Sequence, residues 1–367
     1  MSRISKLIKG FVQKGGCIVR LFTEKKDLTA DCYFPEFMDR RKSKVQIFLD
    51  QSRNIIKYGS ANKFYFLYGL DIKDFHRTED FVDYSLFMRR RNRMNYRLTG
   101  YPPIYVLRDK ALFGIMAEAY GFSAPKSIGE IENGRIYLFE NKRRLSLSEF
   151  IASIQTKQDL FVKKVYGECA DGVFHVSIEN GSLIYKGNPV RVDSFFSPNS
   201  RYLLQTAINN QDPAIAVIFP KAINTLRLVT VHNLKTDEIE AFSCVLRVGV
   251  GDNNVDNWAA GGLSVGVDTE KGCLRKYGFY KPGFGTKVTE HPDSHIVFEG
   301  YPIPFLEESI SQAKAFHRQL HGMHSIGWDI AITSSGPCFV EANDNWEISL
   351  MQISNHGLQK EFDRLFY

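Results

Sequence analysis

The run from Gly327 to Asn343, Gly-Trp-Asp-Ile-Ala-Ile-Thr-Ser-Ser-Gly-Pro-Cys-Phe-Val-Glu-Ala-Asn, restricts this chain more than any other stretch. Two segments of alternating character, Trp328 to Thr333 and Cys338 to Asn343, flank Ser-Ser-Gly-Pro, a pattern that predicts a β-hairpin. Side chains on a strand alternate between faces, so Asp329, Ala331 and Thr333 share one face, and Phe339, Glu341 and Asn343 share one face of the partner strand. A register that sets Asp329 opposite Glu341 brings the two carboxylates to roughly 5 Å, with Asn343 beside them. Like charges opposed in a half-buried sheet are destabilising. Such a hairpin either turns its acids to solvent or holds a cation between them. Two carboxylates and an amide are an all-oxygen set that a hard ion such as Mg²⁺ accepts.

At 367 residues there is room for two or three domains with their own cores, and 44% hydrophobic with 24% charged residues is the make-up of an ordinary globular protein. The longest purely apolar run, Ala214 to Phe219, is too short to span a membrane. Residues 1–20 lack the continuous apolar core and small-residue cleavage site of a signal peptide. The cysteines, at 17, 32, 169, 244, 273 and 338, show no C-x-x-C spacing, which suits a reducing cytosol and argues against structural zinc. The expected location is cytoplasmic. Charge is uneven: residues 1–100 hold 21 lysines and arginines against 11 acids, +10, while the remainder hold 26 against 30, −4. A basic front on a slightly acidic body suggests an anionic partner for the N-terminal part.

Within that front, Ile4, Leu7, Ile8, Phe11 and Val12 recur at helical spacing among Arg3, Lys6, Lys9 and Lys14, predicting a basic amphipathic helix ended by Gly15-Gly16. It suits packing on the rest of the protein, or peripheral contact of residues 1–15 with the anionic inner face of a membrane. From Lys42 to Tyr101 the pattern stays mostly helical, and its arginine run at 89–97 reads as a solvated helix face. No aromatic-interleaved RNA motif or DNA-reading helix is visible, so nucleic acid is not an expected partner.

Beyond Tyr101-Pro102-Pro103 a helix is expected from Asp109 to Gly121, with Lys110 at its start either solvated or pointing at an anion. Lys163 lies on a strand before the turn bounded by Gly167 and Gly172, a plain hairpin or a device for covering phosphates. Arg201 to Ile208 reads as a buried strand, and Asp212 before Pro213 as a turn former or a ribose contact. Arg227 and Arg247 sit inside apolar strands, where a cation is costly unless it meets something anionic. Asp252 to Gly262 forms a polar, glycine-ended loop; the lone loop histidine His291 reads as a surface residue more readily than as a catalyst. Glu307 to His321 completes the pattern as an amphipathic helix.

Taken together, residues from about 105 to 360 resemble the ATP-grasp enzymes, most closely the branch known as sugar-transfer-associated ATP-grasp. The stretches that carry the resemblance are Asp109-Lys110, Phe161-Val162-Lys163, Tyr202 to Gln205, Asn224 to Arg227, Asp256-Asn257 through Gly261-Gly262, His291-Pro292-Asp293, Gly327 to Ala331, and Glu341-Ala342-Asn343. The resemblance implies an α+β ATP-grasp fold whose two lobes, 105–205 and 206–367, clasp ATP behind a mainly helical basic region at 1–104. It implies that Lys110 and Lys163 touch ATP phosphates, that Gly167 to Gly172 form a mobile lid, and that Gln205, Ala207 and Ile208 form the adenine hinge. Asp329, Glu341 and Asn343 would hold one or two Mg²⁺. The implied activity is carboxylate–amine ligation through an acylphosphate, with Arg227 and either Arg247 or the Gly261 and Gly262 amides facing the oxyanion. Its substrates would be a small carboxylate and an amine, on an amino acid, sugar acid or glycoconjugate precursor. A phosphotransferase and a non-catalytic nucleotide-binding module are the alternatives. On the ligase reading, Asp329→Asn abolishes turnover with little loss of fold.

Overall fold

A computed structural model describes residues 14–19, 32–97, 104–166, 172–197, 199–252 and 256–367. Residues 14–19 are helical, so Gly15 and Gly16 do not end a helix as expected; residues 1–13 of the basic amphipathic segment lie outside the described residues. No helix among the described residues is long and apolar enough to cross a membrane.

Two antiparallel sheets carry the chain from 127 to 343. The first holds β1 (Ser127–Glu132), β2 (Arg135–Leu138), β3 (Arg144–Ser146), β4 (Gln158–Lys164), β5 (Val173–Glu179), β6 (Ser182–Tyr185), β7 (Asn188–Pro189) and β8 (Arg201–Thr206), in the order β3-β2-β1-β8-β4-β5-β6-β7. The second holds β9 (Thr225–Asn233), β10 (Glu238–Val248), β11 (Leu263–Asp268), β12 (Cys273–Tyr280), β13 (Lys287–Val288), β14 (Ser325–Thr333) and β15 (Gly336–Asn343), in the order β13-β12-β11-β10-β9-β14-β15. One face of this second sheet packs on the Leu306–Gln319 helix, burying Phe316, Trp328, Ile330 and Phe339 together. This mixed architecture of antiparallel sheets and helices agrees with the α+β fold that the resemblance implies.

The β14–β15 hairpin forms where the alternation predicts it, with Asp329 opposite Glu341 and Gly327 opposite Asn343. One expectation fails. A bulge between Asp329 and Ile330 sets Ile330 against Phe339 and leaves Val340 as the extra residue, so Phe339 does not share a face with Glu341. Phe339 enters the apolar core while Glu341 turns to the opposite side.

The N-terminal region is helical at Lys44–Tyr58, where Ser43 and Gln46 form a capping box, and at Tyr84–Arg97. Between them residues 59–83 run mostly as turns. Its aromatics share one core with the C-terminal helices: Phe64, Tyr65 and Phe87 are buried with Trp346, Phe362 and Phe366. The arginine run is therefore not simply a solvated face. Arg91 is buried and donates to the Trp346 carbonyl, and Asn95 donates to the Asp344 carbonyl at 3.2 Å, which ties this helix to the chain leaving β15.

Candidate active site

A cavity of about 820 Å³ opens between the two sheets. Its floor lies on the face of the second sheet turned away from the Leu306–Gln319 helix, where one row crosses four strands: Val245 on β10, buried in the core shared with the C-terminal helices, then Arg227 on β9, Asp329 on β14 and Glu341 on β15, which line the cavity. Arg247, two residues along β10, sits opposite Thr225. Alternation places all of these on one face, and strand order makes them neighbours.

Asp329 is taken up by the arginines. Arg227 grips it at both oxygens, Nε to Oδ1 at 2.5 Å and Nη2 to Oδ2 at 2.9 Å, and Arg247 Nη1 lies 3.5 Å from Oδ2. Arg247 also donates from Nη2 to Asp256 Oδ1 at 2.8 Å, and Asp256 Oδ2 accepts from the Thr225 amide at 3.0 Å and from its hydroxyl. Burial alone would push Asp329 up, but the Arg227 and Arg247 guanidiniums hold it below the usual carboxylate range. Asp256 goes the other way, since burial raises it despite Arg247. Burial also works against the charge on Arg247, and Asp256, Asp329 and Glu341 outweigh that.

The first sheet and the helix below it supply the opposite wall. Lys110 begins the Lys110–Ala119 helix because Asp109 caps it, accepting from the amides of Ala111 and Leu112 at 3.0 Å. Lys163 projects from β4, and burial pushes its ammonium down, a shift opposed by Glu341 and reinforced by the like charge of Lys110. Both lysines line the cavity with Arg227, Arg247, Ile208, Asp329, Glu341 and Asn343.

Other sequence candidates lie elsewhere. Gln205 is buried against Ser127, donating to its hydroxyl at 3.2 Å, and the Ala207 amide donates to the Asp159 carbonyl at 3.0 Å. Thr206 and Ile208 are the residues leaving β8 that border the cavity. Asp212 caps the short Pro213–Ala216 helix, accepting from the Ala214 amide at 2.9 Å, and does not line the cavity. The Gly261 and Gly262 amides donate to the Trp258 and Asn257 carbonyls, so their donors are spent in the turn. A Cβ at Gly262 would lie 2.8 Å from the carbonyls of Asp256 and Val248, which is why glycine stands there. Gly172, with φ +68°, closes the turn by accepting from the Lys164 amide. Gly167 lies outside the described residues. His291 is not a surface residue: fully buried, it joins Nε2 to the Gly249 carbonyl at 2.8 Å and accepts from the Asp293 amide, fastening two loops.

Asp256 and the Arg108–Asp344 pair are cavity residues that motif reading did not assign. Arg108 grips Asp344 at 2.8 and 2.9 Å. The position of Asp344, directly after Asn343, was the available signal.

Glu341 and Asn343 suit a hard divalent cation beside phosphate oxygens, since such ions take one or two carboxylates and leave the rest to water and phosphate. Asn343 lines the cavity with its Nδ2 buried and unpartnered, a donor that a phosphate oxygen would satisfy. Arg247 Nε is buried and unpartnered in the same way. Asp329 fits the cation only together with an added anion, because two guanidiniums already neutralise it.

The family described as sugar-transfer associated ATP-grasp matches residues 89–365 of this chain. Among solved structures, the VanG D-Ala:D-Ser ligase from Enterococcus faecalis is 13% identical, with 76% of this chain and 70% of that one covered at a TM-score of 0.39. The ATP complex of D-alanine–D-alanine ligase from Bacillus anthracis is 13% identical, with 72% and 68% covered at 0.38. N5-carboxyaminoimidazole ribonucleotide synthetase from Thermotoga maritima is 11% identical, with 70% and 48% covered at 0.36. No curated protein matches the chain by sequence.

Proposed function

The chain belongs to the sugar-transfer associated ATP-grasp family, and from that membership we propose that it is an ATP-dependent carboxylate–amine ligase working through an acylphosphate. What supports the reading is the meeting of Lys110 and Lys163 with the opposed Asp329/Glu341 pair and Asn343 around one cavity between two sheets. The lysines supply positive charge for the nucleotide phosphates, and the backbone leaving β8 at Thr206 to Ile208 borders the space left for adenine. A magnesium ion held by Glu341, Asn343 and Asp329 would neutralise charge across the β- and γ-phosphates.

A substrate carboxylate oxygen attacks the γ-phosphorus and expels ADP, leaving an acylphosphate. A neutral amine then attacks the acyl carbon, inorganic phosphate leaves, and the amine gives up a proton as the amide forms. Arg227 and Arg247 orient the carboxylate and stabilise the oxyanion of the second step. No protein nucleophile is needed. The substrates are a small carboxylate, on an amino acid, sugar acid or polysaccharide precursor, and a small amine.

A screen of carboxylates and amines, reading ADP release with mass spectrometry of products, tests this. Release of ADP and phosphate only when an amine is present, with an amide of the matching mass, supports the ligase. A stable phosphorylated product would replace it with a phosphotransferase.

A further inference from the structure

We propose that Asp256 is a positioning residue that clamps Arg247 so that one edge of its guanidinium is kept for the terminal phosphoryl group, and that this sets a preference for nucleoside triphosphate over diphosphate. The inference rests on the reading above only in taking the cavity as a nucleotide site. Asp256 is itself held from two sides: the Thr225 amide, at 3.0 Å, and the Thr225 hydroxyl both donate to Oδ2. Its remaining oxygen, Oδ1, accepts from Arg247 Nη2 at 2.8 Å. Arg247 and Thr225 are direct cross-strand neighbours, so the clamp is anchored to the backbone of β9.

Arg247 Nη1 lies 3.5 Å from Asp329, and Nε is left buried without a partner. A buried N–H without an acceptor is costly, and an anion entering the cavity that Arg247 lines removes that cost. Without Asp256 the ion-pair partner left to Arg247 among the described residues is Asp329, with Glu341 attracting it more weakly, and both guanidiniums converge on the Asp329 carboxylate. Arg247 then has no fixed orientation from which to meet a phosphoryl oxygen. A cation aimed at the last phosphate adds affinity for the triphosphate and none for the diphosphate.

Calorimetric titration of the full chain with Mg²⁺ and either ADP or a non-hydrolysable ATP analogue, for wild type, Asp256→Asn, Arg247→Met and the double variant, tests this. Each single change is expected to reduce the triphosphate preference about tenfold with ADP affinity nearly constant. The double variant is expected to lose no more than Arg247→Met alone, because Asp256 acts through Arg247. An unchanged preference in Asp256→Asn, equal weakening of both nucleotides, or a further loss in the double variant overturns the proposal. If Asp256→Asn does not fold, Asp256→Glu, which keeps the charge and moves it by one methylene, must still lower the preference; an unaltered ratio is again fatal. A wild-type chain that binds neither nucleotide sinks the nucleotide reading and this inference with it. Wild-type preference that persists in every variant sinks this inference alone.

Discussion

Replacing Asp329 with asparagine removes the carboxylate that, among the described residues, pairs with both Arg227 and Arg247. The side chains involved are only 12%, 12% and 6% exposed, so water replaces little of the lost attraction. At an effective dielectric near 20 a unit charge pair about 4 Å apart is worth about 4 kcal/mol, and stranding a partner of a buried ion pair costs about 3–5 kcal/mol. Asp329→Asn is therefore expected to lower Tm by roughly 4–6 °C, as well as to abolish turnover. This differs from the expectation of a metal ligand alone, for which the fold is barely affected. Changing Arg227 to methionine in the same chain removes the stranded cation; since buried pairs replaced by apolar groups of similar size are often neutral, stability should return to within about 1–2 kcal/mol of wild type. Activity should not return. Thermal unfolding followed by circular dichroism, alongside ADP release, measures both. An Asp329→Asn chain that melts with wild type, or a double variant less stable than the single, refutes the reasoning.

Lys163→Met is expected to weaken ATP binding at least about tenfold while leaving the fold intact, since a half-buried ammonium contributes little to packing; calorimetry finding unaltered affinity removes Lys163 from the nucleotide. Burial holds the Lys163 ammonium below the usual lysine range. A bound polyphosphate favours the charged form, so ATP binding takes up a proton and affinity falls as pH rises through that lowered value; the slope should vanish in Lys163→Met. His317 and His324 are buried and lowered to about 3 and about 4 from 6.5. The unfolded chain thus binds more protons below pH 6.5, and stability is full above that pH and falls toward pH 4 by up to about 1.4 kcal/mol per unit for each histidine. Urea unfolding that is flat between pH 6.5 and 4.5 contradicts this. Deleting Val340 removes the bulge but leaves Phe339 opposite Ile330 and Glu341 opposite Asp329, now as regularly alternating neighbours, so turnover should survive, and a folded but inactive deletion variant would show that the bulge itself aims Glu341 and Asn343.

The opposition of Asp329 and Glu341 can be read from alternation and a Ser-Ser-Gly-Pro turn because a hairpin is a local object: two short strands, a tight connection and a period of two. The helix starting at Lys110 is legible for a similar reason, through Asp109 as its cap. Gln205 and Ala207 carry no comparable local signal, and Asp212 before Pro213 signals its turn and cap but not its place relative to the cavity. Their neighbourhood is set by β1 pairing beside β8 and by the turn into the Pro213–Ala216 helix, so a motif at the end of a buried strand does not reveal which side chains border a cavity. The burial of Arg91 is equally hidden, because its acceptor is a carbonyl 255 residues away.

By itself the amino-acid order determined several elements and the hairpin that opposes two acids, which follow from periodicity and turn chemistry over a few residues, while the fold was legible only through the resemblance to a known family. Only the tertiary structure decided that Arg227 and Arg247 close on Asp329, that Asp256 competes for Arg247, and that Phe339 and Glu341 part company at Val340. Each of those outcomes depends on the strand order β10-β9-β14-β15 or on one inserted residue. Electrostatic partners are chosen by distance in space, and Arg227 and Asp329, 102 positions apart in the chain, come together only when the sheet does.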